Sequence, residues 1–108
     1  MCHLVKSMKA RLISFLEVKD KIREVVKELD RRPLNEELVL KMAGELLFLL
    51  GICLSQMKAA DAASYPEKDK HLSILQSASE ALTYKINACT IEEATIQVNK
   101  AYMAFGVN

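Results

Sequence analysis

Apolar residues recur at helical spacing through most of the chain, and nowhere do they alternate with polar residues over the length of a strand. Gly and Pro are few, at 3 and 2 residues, so the sequence has little material for the turns of a β-sandwich. The pattern predicts an all-α protein with a single domain over residues 1–108 and three helices, or four on an alternative interpretation of the last one.

The first predicted helix, residues 4–31, carries the most regular apolar stripe. Its spacing alternates between three and four residues, which is typical of a coiled-coil seam facing a partner helix. Seven of the eight seam positions are apolar and one is a lysine: Val5, Met8, Leu12, Phe15, Lys19, Ile22, Val26 and Leu29. Leu16 and Val18 widen the stripe, which favours a multi-helix bundle over a two-stranded zipper. Two interpretations stay open: the seam joins copies of the chain, or it is the core face within one chain.

The second predicted helix, residues 36–63, follows a break at Pro33, because proline disfavours helical geometry in the residue before it. Asn35 is suited to cap its first turn. Two apolar stripes run side by side along this helix, so we expect neighbours to cover it from more than one side. Gly44 and Gly51 lie on the remaining narrow face. Since a glycine inside a helix costs up to about 1 kcal/mol, we expect another backbone to approach there.

Residues 67–105 are predicted to form either one long helix with a kink near 89–91 or two helices that meet near Cys89. Thr90 and Glu93 have the spacing of a capping box, which would start a new helix. The apolar stripe nevertheless crosses Thr90 without losing phase, and this continuity favours a single helix.

The two ends of this segment carry their own signals. Ser64 and Glu67 also have capping-box spacing around Pro66, and Gly106 is suited to end the helix in a left-handed conformation. Paired with residues 36–63, the segment would form a long antiparallel helical hairpin. A chain this short buries only about two-thirds of its unfolded surface. With 51% apolar residues, we expect the bundle to be completed by oligomerisation.

Charge is unevenly distributed although the net charge is only +1. Residues 1–32 carry nine Lys or Arg against five Asp or Glu, and the remaining residues carry six against nine. Such asymmetry suits the docking of one segment on another or the binding of nucleic acid. The nucleic-acid alternative would use the basic first helix and the joint after it, where free backbone amides could hold a phosphate. Its predicted phosphate or nucleic-acid contacts are Lys27, Arg31 and Arg32.

No catalytic, cofactor or metal site is expected. The histidines, His3 and His71, have no metal-spaced neighbours, whereas zinc requires three or four ligands held in place. Cys53 falls on an apolar stripe, where a thiol behaves as a small hydrophobe. Carboxylate pairs such as Glu92-Glu93 stand at helix starts, where capping explains them.

The cellular compartment is predicted to be reducing and cytoplasmic. Three cysteines with no paired spacing do not suggest a disulfide framework. The N-terminus lacks the apolar stretch of a signal peptide. The longest apolar run, from Leu46 to Leu54, is about half of a membrane span, so no membrane segment is expected.

These observations predict a non-enzymatic helical module, regulatory or accessory, that self-associates and binds a protein or another macromolecular partner. The alternative is an accessory protein that binds nucleic acid or a nucleotide. No motif identifies a family. In general character the chain is similar to small helical accessory proteins of phages and bacteria.

Overall fold

The computed structural model describes residues 12–83 and 85–106, and these ranges contain helices and no strands. The α-helices are α1 (Phe15–Asp30), α2 (Glu36–Ala59), α3 (Lys68–Ala81) and α4 (Ile91–Ala104). Two single-turn 3₁₀ helices, Ala62–Ser64 and Ile86–Ala88, lie in the connections. The predicted all-α class is confirmed. The predicted seam positions Val5 and Met8 lie outside the described residues.

Helix α1 begins at Phe15 and not near residue 4. Ser14 has an extended backbone, and its hydroxyl accepts a hydrogen bond from the backbone N–H of Glu17 at 3.0 Å. This N-cap satisfies a donor that the first helical turn leaves free, so it defines the start of the helix. Residues 12–14 are not helical, so the expectation of an unbroken helix over residues 4–31 is wrong at this point.

Helix α2 begins as predicted, with the Asn35 side chain accepting from the backbone N–H of Leu38 at 3.1 Å. It ends at Ala59, four residues before the expected end. The Lys68 ammonium group donates to the Ala60 carbonyl at 2.7 Å and so satisfies an acceptor at this end. The next residues turn away, because the Asp61 side chain caps the 3₁₀ turn that follows.

By length and composition alone, α2 could cross a membrane. Its longest unbroken apolar run is short, but few charged residues interrupt the helix as a whole. Six of its side chains are buried among the other helices at spacings of three and four residues: Val39, Ala43, Leu46, Leu50, Cys53 and Met57.

The favoured single helix over residues 67–105 is wrong, and the alternative of two helices is correct. A capping box at Thr90 starts α4: its hydroxyl accepts from the Glu93 backbone N–H at 3.2 Å, and the Glu93 carboxylate accepts from the Thr90 backbone N–H at 3.1 Å. The apolar stripe keeps its phase because α3 and α4 each bury one face in the same core.

The capping box expected at Ser64 does not form. The Ser64 hydroxyl donates to the Asp61 carbonyl at 2.9 Å, and Glu67 precedes α3 without a side-chain cap. At the other end of the chain, Gly106 follows α4 with a φ of 64°. The left-handed stop predicted there is confirmed.

The core lies where the four helices meet. Helix α1 packs against α2 and α4, and α3 packs against the same two helices. The second 3₁₀ turn also packs on α2. Among the described residues, the buried side chains are aliphatic apart from Glu28, Cys53 and Phe105.

Candidate interaction surface

Three large apolar side chains along α1 and α2 are exposed to solvent. Leu12 exposes 77% of its surface, Leu16 60% and Phe48 67%. Leu16 and Leu49 line one cleft between the two helices, and Phe48 and Leu49 line the next. Leu49 therefore connects Leu16 to Phe48. Ser14 lines the first of these clefts and also a smaller cleft that Leu12 lines, so Leu12 adjoins this surface. We call Leu12, Leu16, Phe48 and Leu49 the apolar patch.

An ion pair joins α1 to α2 beside the patch. The Lys21 ammonium group donates to a Glu45 carboxylate oxygen at 3.0 Å. The hydrogen bond and charge of Lys21 hold the pKa of Glu45 below its ordinary value of 4.5, and Lys41 adds a smaller effect. These residues line a cleft of about 700 Å³ with Gly44 and Phe48. The patch thus has the apolar centre and charged border typical of protein interfaces.

Phe48 was not singled out from the sequence. It is one of nine consecutive apolar residues, and the two stripes of this helix pass on either side of it. The signal was nonetheless present. Phe48 is seven residues from Lys41 and seven from Ser55, a spacing that brings all three to one helix face. All three are exposed.

The described seam residues of α1 divide into two groups. Ile22 and Leu29 are buried in the core of the chain, and Phe15, Lys19 and Val26 are half-buried. Leu12, which precedes the helix, is exposed. The buried apolar stripe is offset from the predicted seam: it contains the seam positions Ile22 and Leu29 together with Val18, from the widened flank, and Val25. This stripe packs within the described part of the chain, against α2 and α4.

A smaller apolar cleft of about 270 Å³ adjoins Leu12. Phe15, Cys53, Met57 and Tyr65 contribute to its lining, so it could hold an apolar side chain. Burial raises the pKa of the Tyr65 hydroxyl, and the nearby Cys53 thiol adds to that effect.

Cys53 is a core residue. Its side chain is 1% exposed, and burial raises the pKa of its thiol to about 11, with Glu17 adding to the shift. A nucleophilic cysteine needs the thiolate form near neutral pH, which this environment opposes. Among the described residues, no three His, Cys, Asp or Glu side chains are grouped in a way that could hold a metal ion.

The predicted phosphate contacts of the α1–α2 joint are engaged within the chain. The Arg31 guanidinium lies 3.6 Å from the carboxylate of Glu28, which is 8% exposed. The Arg32 guanidinium donates to the carbonyls of Leu29 and Arg31, both at 2.8 Å. Lys27 is exposed on the last turn of α1.

Carboxylates also surround the open side of this joint. Glu36 and Glu37 form the first turn of α2 and line the same cleft as Glu28 and Arg31. The helix start predicted as a phosphate site thus faces negative charge from its own chain, which opposes anion binding there.

Helix α4 carries a second pair of exposed apolar residues. Ile96 exposes 57% of its surface and Met103 75%, and the two are seven residues apart on one helix face. Asn99 and Lys100 lie between them in sequence and are exposed. This pair is smaller than the apolar patch.

Comparison with known proteins finds no match to a protein-family model, to a curated protein or to a solved structure.

Proposed function

We propose that this protein is a non-enzymatic helical interaction module, regulatory or accessory, that self-associates and binds a protein partner. The observation that carries the proposal is the apolar patch, in which Leu12, Leu16 and Phe48 are each more than half exposed on neighbouring elements. Isolated exposed apolar residues are common, but contiguous exposed apolar surface is typical of binding sites.

The size of the patch supports this proposal. With about 200 Å² for the surface of a large apolar side chain, its three most exposed members present roughly 400 Å². The largest patch on a monomer is commonly 300–600 Å² and is often a binding site. A standard interface buries about 800 Å² on each partner, a little over half of it apolar. The patch would supply most of that apolar area.

The architecture supports self-association as well. We propose that the four helices form a bundle that a second copy completes on the outer side of α1 and α2. In support, α1 contacts both α2 and α4, and α3 contacts the same two helices. This closed set of contacts leaves the outer face of α2 without a neighbouring helix in the described part of the chain. The coiled-coil character of the seam would then be confined to packing within the chain.

The non-enzymatic part of the proposal rests on the environments of the reactive side chains. Cys53 is a buried thiol with a raised pKa. The Glu93 carboxylate is occupied by the capping box, which lowers its pKa through hydrogen bonds from Thr90. Both groups serve the fold in these positions.

We also propose a cytoplasmic location. Cys53 and Cys89 are both free thiols, which fits a reducing compartment. Because α2 is long and apolar enough to cross a membrane, membrane binding is the main alternative to this location. Lipid vesicles therefore serve as a further binding partner to test.

Sedimentation velocity at tens of micromolar tests the proposal. We expect a mass that is a multiple of the 12.1 kDa chain and a decrease on dilution. A parallel titration with single-stranded DNA at two salt concentrations addresses the nucleic-acid alternative. A monomer that binds DNA with steep salt dependence would replace our proposal with that alternative.

A further inference from the structure

Phe48 stands at the middle of the longest helix. Helix α2 has 24 residues, Glu36–Ala59, and is about 36 Å long. Phe48 lies next to its midpoint and is 67% exposed. A second α2 that runs in the opposite direction and meets the first at Phe48 would overlap it along its whole length.

The glycine one turn after Phe48 leaves space for a partner side chain. Gly44 precedes it by four residues and Gly51 follows it by three, so both lie near the same face. Apart from the adjacent residues and the backbone of its own helix, a Cβ atom built at Gly51 would meet no atom of the described residues within 4 Å. Gly51, which was expected to admit a neighbouring backbone, therefore meets none among the described residues, although glycine carries its usual cost in a helix interior.

The charges at the two ends of α2 are opposite. Glu36 and Glu37 lie in the first turn and Lys58 in the last. Glu37 is 11 residues before Phe48, which is close to three full turns, so it lies on the same face. Two antiparallel copies would bring Glu37 of one chain next to Ala59 and Lys58 of the other. Parallel copies would place like charges together.

We propose that two copies of this chain form a two-fold symmetric dimer through antiparallel α2 helices centred on Phe48. The proposal rests on the proposed function and specifies its first partner and surface. Each Phe48 packs against the other, beside the space that Gly51 leaves open. A two-fold interface uses one surface twice, so an exposed aromatic with a neighbouring recess on the same helix is self-complementary.

Leu49 and Leu16 extend this contact towards α1. Leu49 is adjacent to Phe48 and shares a cleft with Leu16, which is 60% exposed. The Lys21–Glu45 pair lies at the border of the contact. The dimer would thus have an aromatic centre, an aliphatic flank and a charged rim, which is the usual organisation of an interface.

The primary test is sedimentation of Phe48→Lys beside the wild type. We expect the wild type at twice 12.1 kDa and a dimer dissociation constant at least about 100-fold higher in the variant, because two central aromatics are lost and two ammonium groups face each other. Met103→Lys is the matched control, since Met103 is 75% exposed on α4. It should remain dimeric.

The relative direction of the two α2 helices is tested by exchanging the charges at their ends. Lys58→Glu alone places carboxylates next to each other in the antiparallel dimer and should weaken it by about 3- to 10-fold at low salt. Adding Glu37→Lys to that variant should restore most of the affinity. Failure of the double variant to recover would exclude the antiparallel pairing.

The outcomes separate this inference from the proposed function. A wild type that stays at 12.1 kDa refutes self-association itself. A dimer that survives Phe48→Lys but dissociates with Met103→Lys leaves self-association standing and overturns the α2 dimer. A monomeric wild type that floats with phosphatidylcholine vesicles, and loses this binding in Phe48→Lys, would assign the α2 face to lipid instead.

Discussion

The imidazole ring of His71 stacks on the phenyl ring of Phe15, with centroids 3.8 Å apart and planes within 7° of parallel. The phenyl ring of Phe105 also packs on that of Phe15, with a centroid distance of 5.3 Å. The Tyr65 hydroxyl forms a hydrogen bond with Nδ1 of the same imidazole. This cluster connects the start of α1 to the start of α3 and the end of α4.

We expect Phe15→Ala to lower the free energy of unfolding by about 2 kcal/mol. Loss of a fully buried phenylalanine costs roughly 3–5 kcal/mol, and Phe15 is half-buried. Urea denaturation at a dilution where the chain is monomeric measures the change. Phe48→Ala is the matched control and should alter the value by less than about 0.5 kcal/mol, because Phe48 is exposed. Equal losses in both variants would contradict these assignments.

Gly51→Ala should stabilise the monomer by about 0.5–1 kcal/mol. The new methyl group meets open space, and alanine loses less backbone entropy than glycine when it enters a helix. Thermal unfolding under the same dilute conditions provides the measurement. Gly106→Ala is the contrasting control. Gly106 has a φ of 64°, a conformation that costs an L-residue about 1 kcal/mol, so this variant should be less stable than the wild type. A loss of stability in Gly51→Ala would show that its Cβ position is occupied.

The ion pair between Lys21 and Glu45 predicts a pH dependence. The pKa of Glu45 is lower in the folded chain than in the unfolded one, so the pair stabilises the fold above the unfolded pKa. This stabilisation is lost as the pH falls through the folded pKa. Lys21→Met should raise the pKa of Glu45 towards 4.5 in an NMR titration of the side-chain carboxyl.

Lys41→Met is the control for that titration. Lys41 contributes the smallest of the effects that lower the Glu45 pKa, and within the described residues the hydrogen bond to this carboxylate comes from Lys21. Its removal should therefore move the titration less than the removal of Lys21. A larger shift in the Lys41 variant would mean that the 3.0 Å contact does not persist in solution.

Helix boundaries were predictable where capping chemistry stood alone and unreliable where it competed with an apolar stripe. Asn35 and Gly106 behaved as their residue types predict. At Thr90 the capping box was recognised, yet the continuous stripe was given more weight. Two consecutive helices can bury their faces in one core and keep a common phase, so periodicity alone cannot locate a break between them.

At the start of α1, capping chemistry again competes with a continuous apolar stripe. Ser14 and Glu17 have capping-box spacing, and the Ser14 side chain caps the helix. The three-four pattern runs through Ser14 from Leu12 to Phe15, and it concealed the boundary. The apolar patch was harder still to predict, because exposure of Phe48 depends on which side of α2 the other helices occupy. Sequence periodicity shows that a broad apolar face exists but not which part stays uncovered.

The last prediction separates the two interpretations of the α1 seam by changing one residue at a time. Ile22 has no exposed surface, whereas Leu12 is 77% exposed. Ile22→Glu would bury an unpaired carboxylate, so the variant should unfold or lose several kcal/mol of stability. Leu12→Glu should keep its helical circular dichroism and melting temperature, since its carboxylate remains in water.

The association state of these two variants then distinguishes the roles of the residues. If Leu12 belongs to the interface, Leu12→Glu should raise the dissociation constant of a folded chain by about tenfold, as expected for an apolar contact at the edge of a contact surface. Sedimentation and circular dichroism on the same samples provide both measurements. A folded Ile22→Glu chain that is monomeric would place Ile22 between chains, and the seam would then be intermolecular despite its burial in this structure.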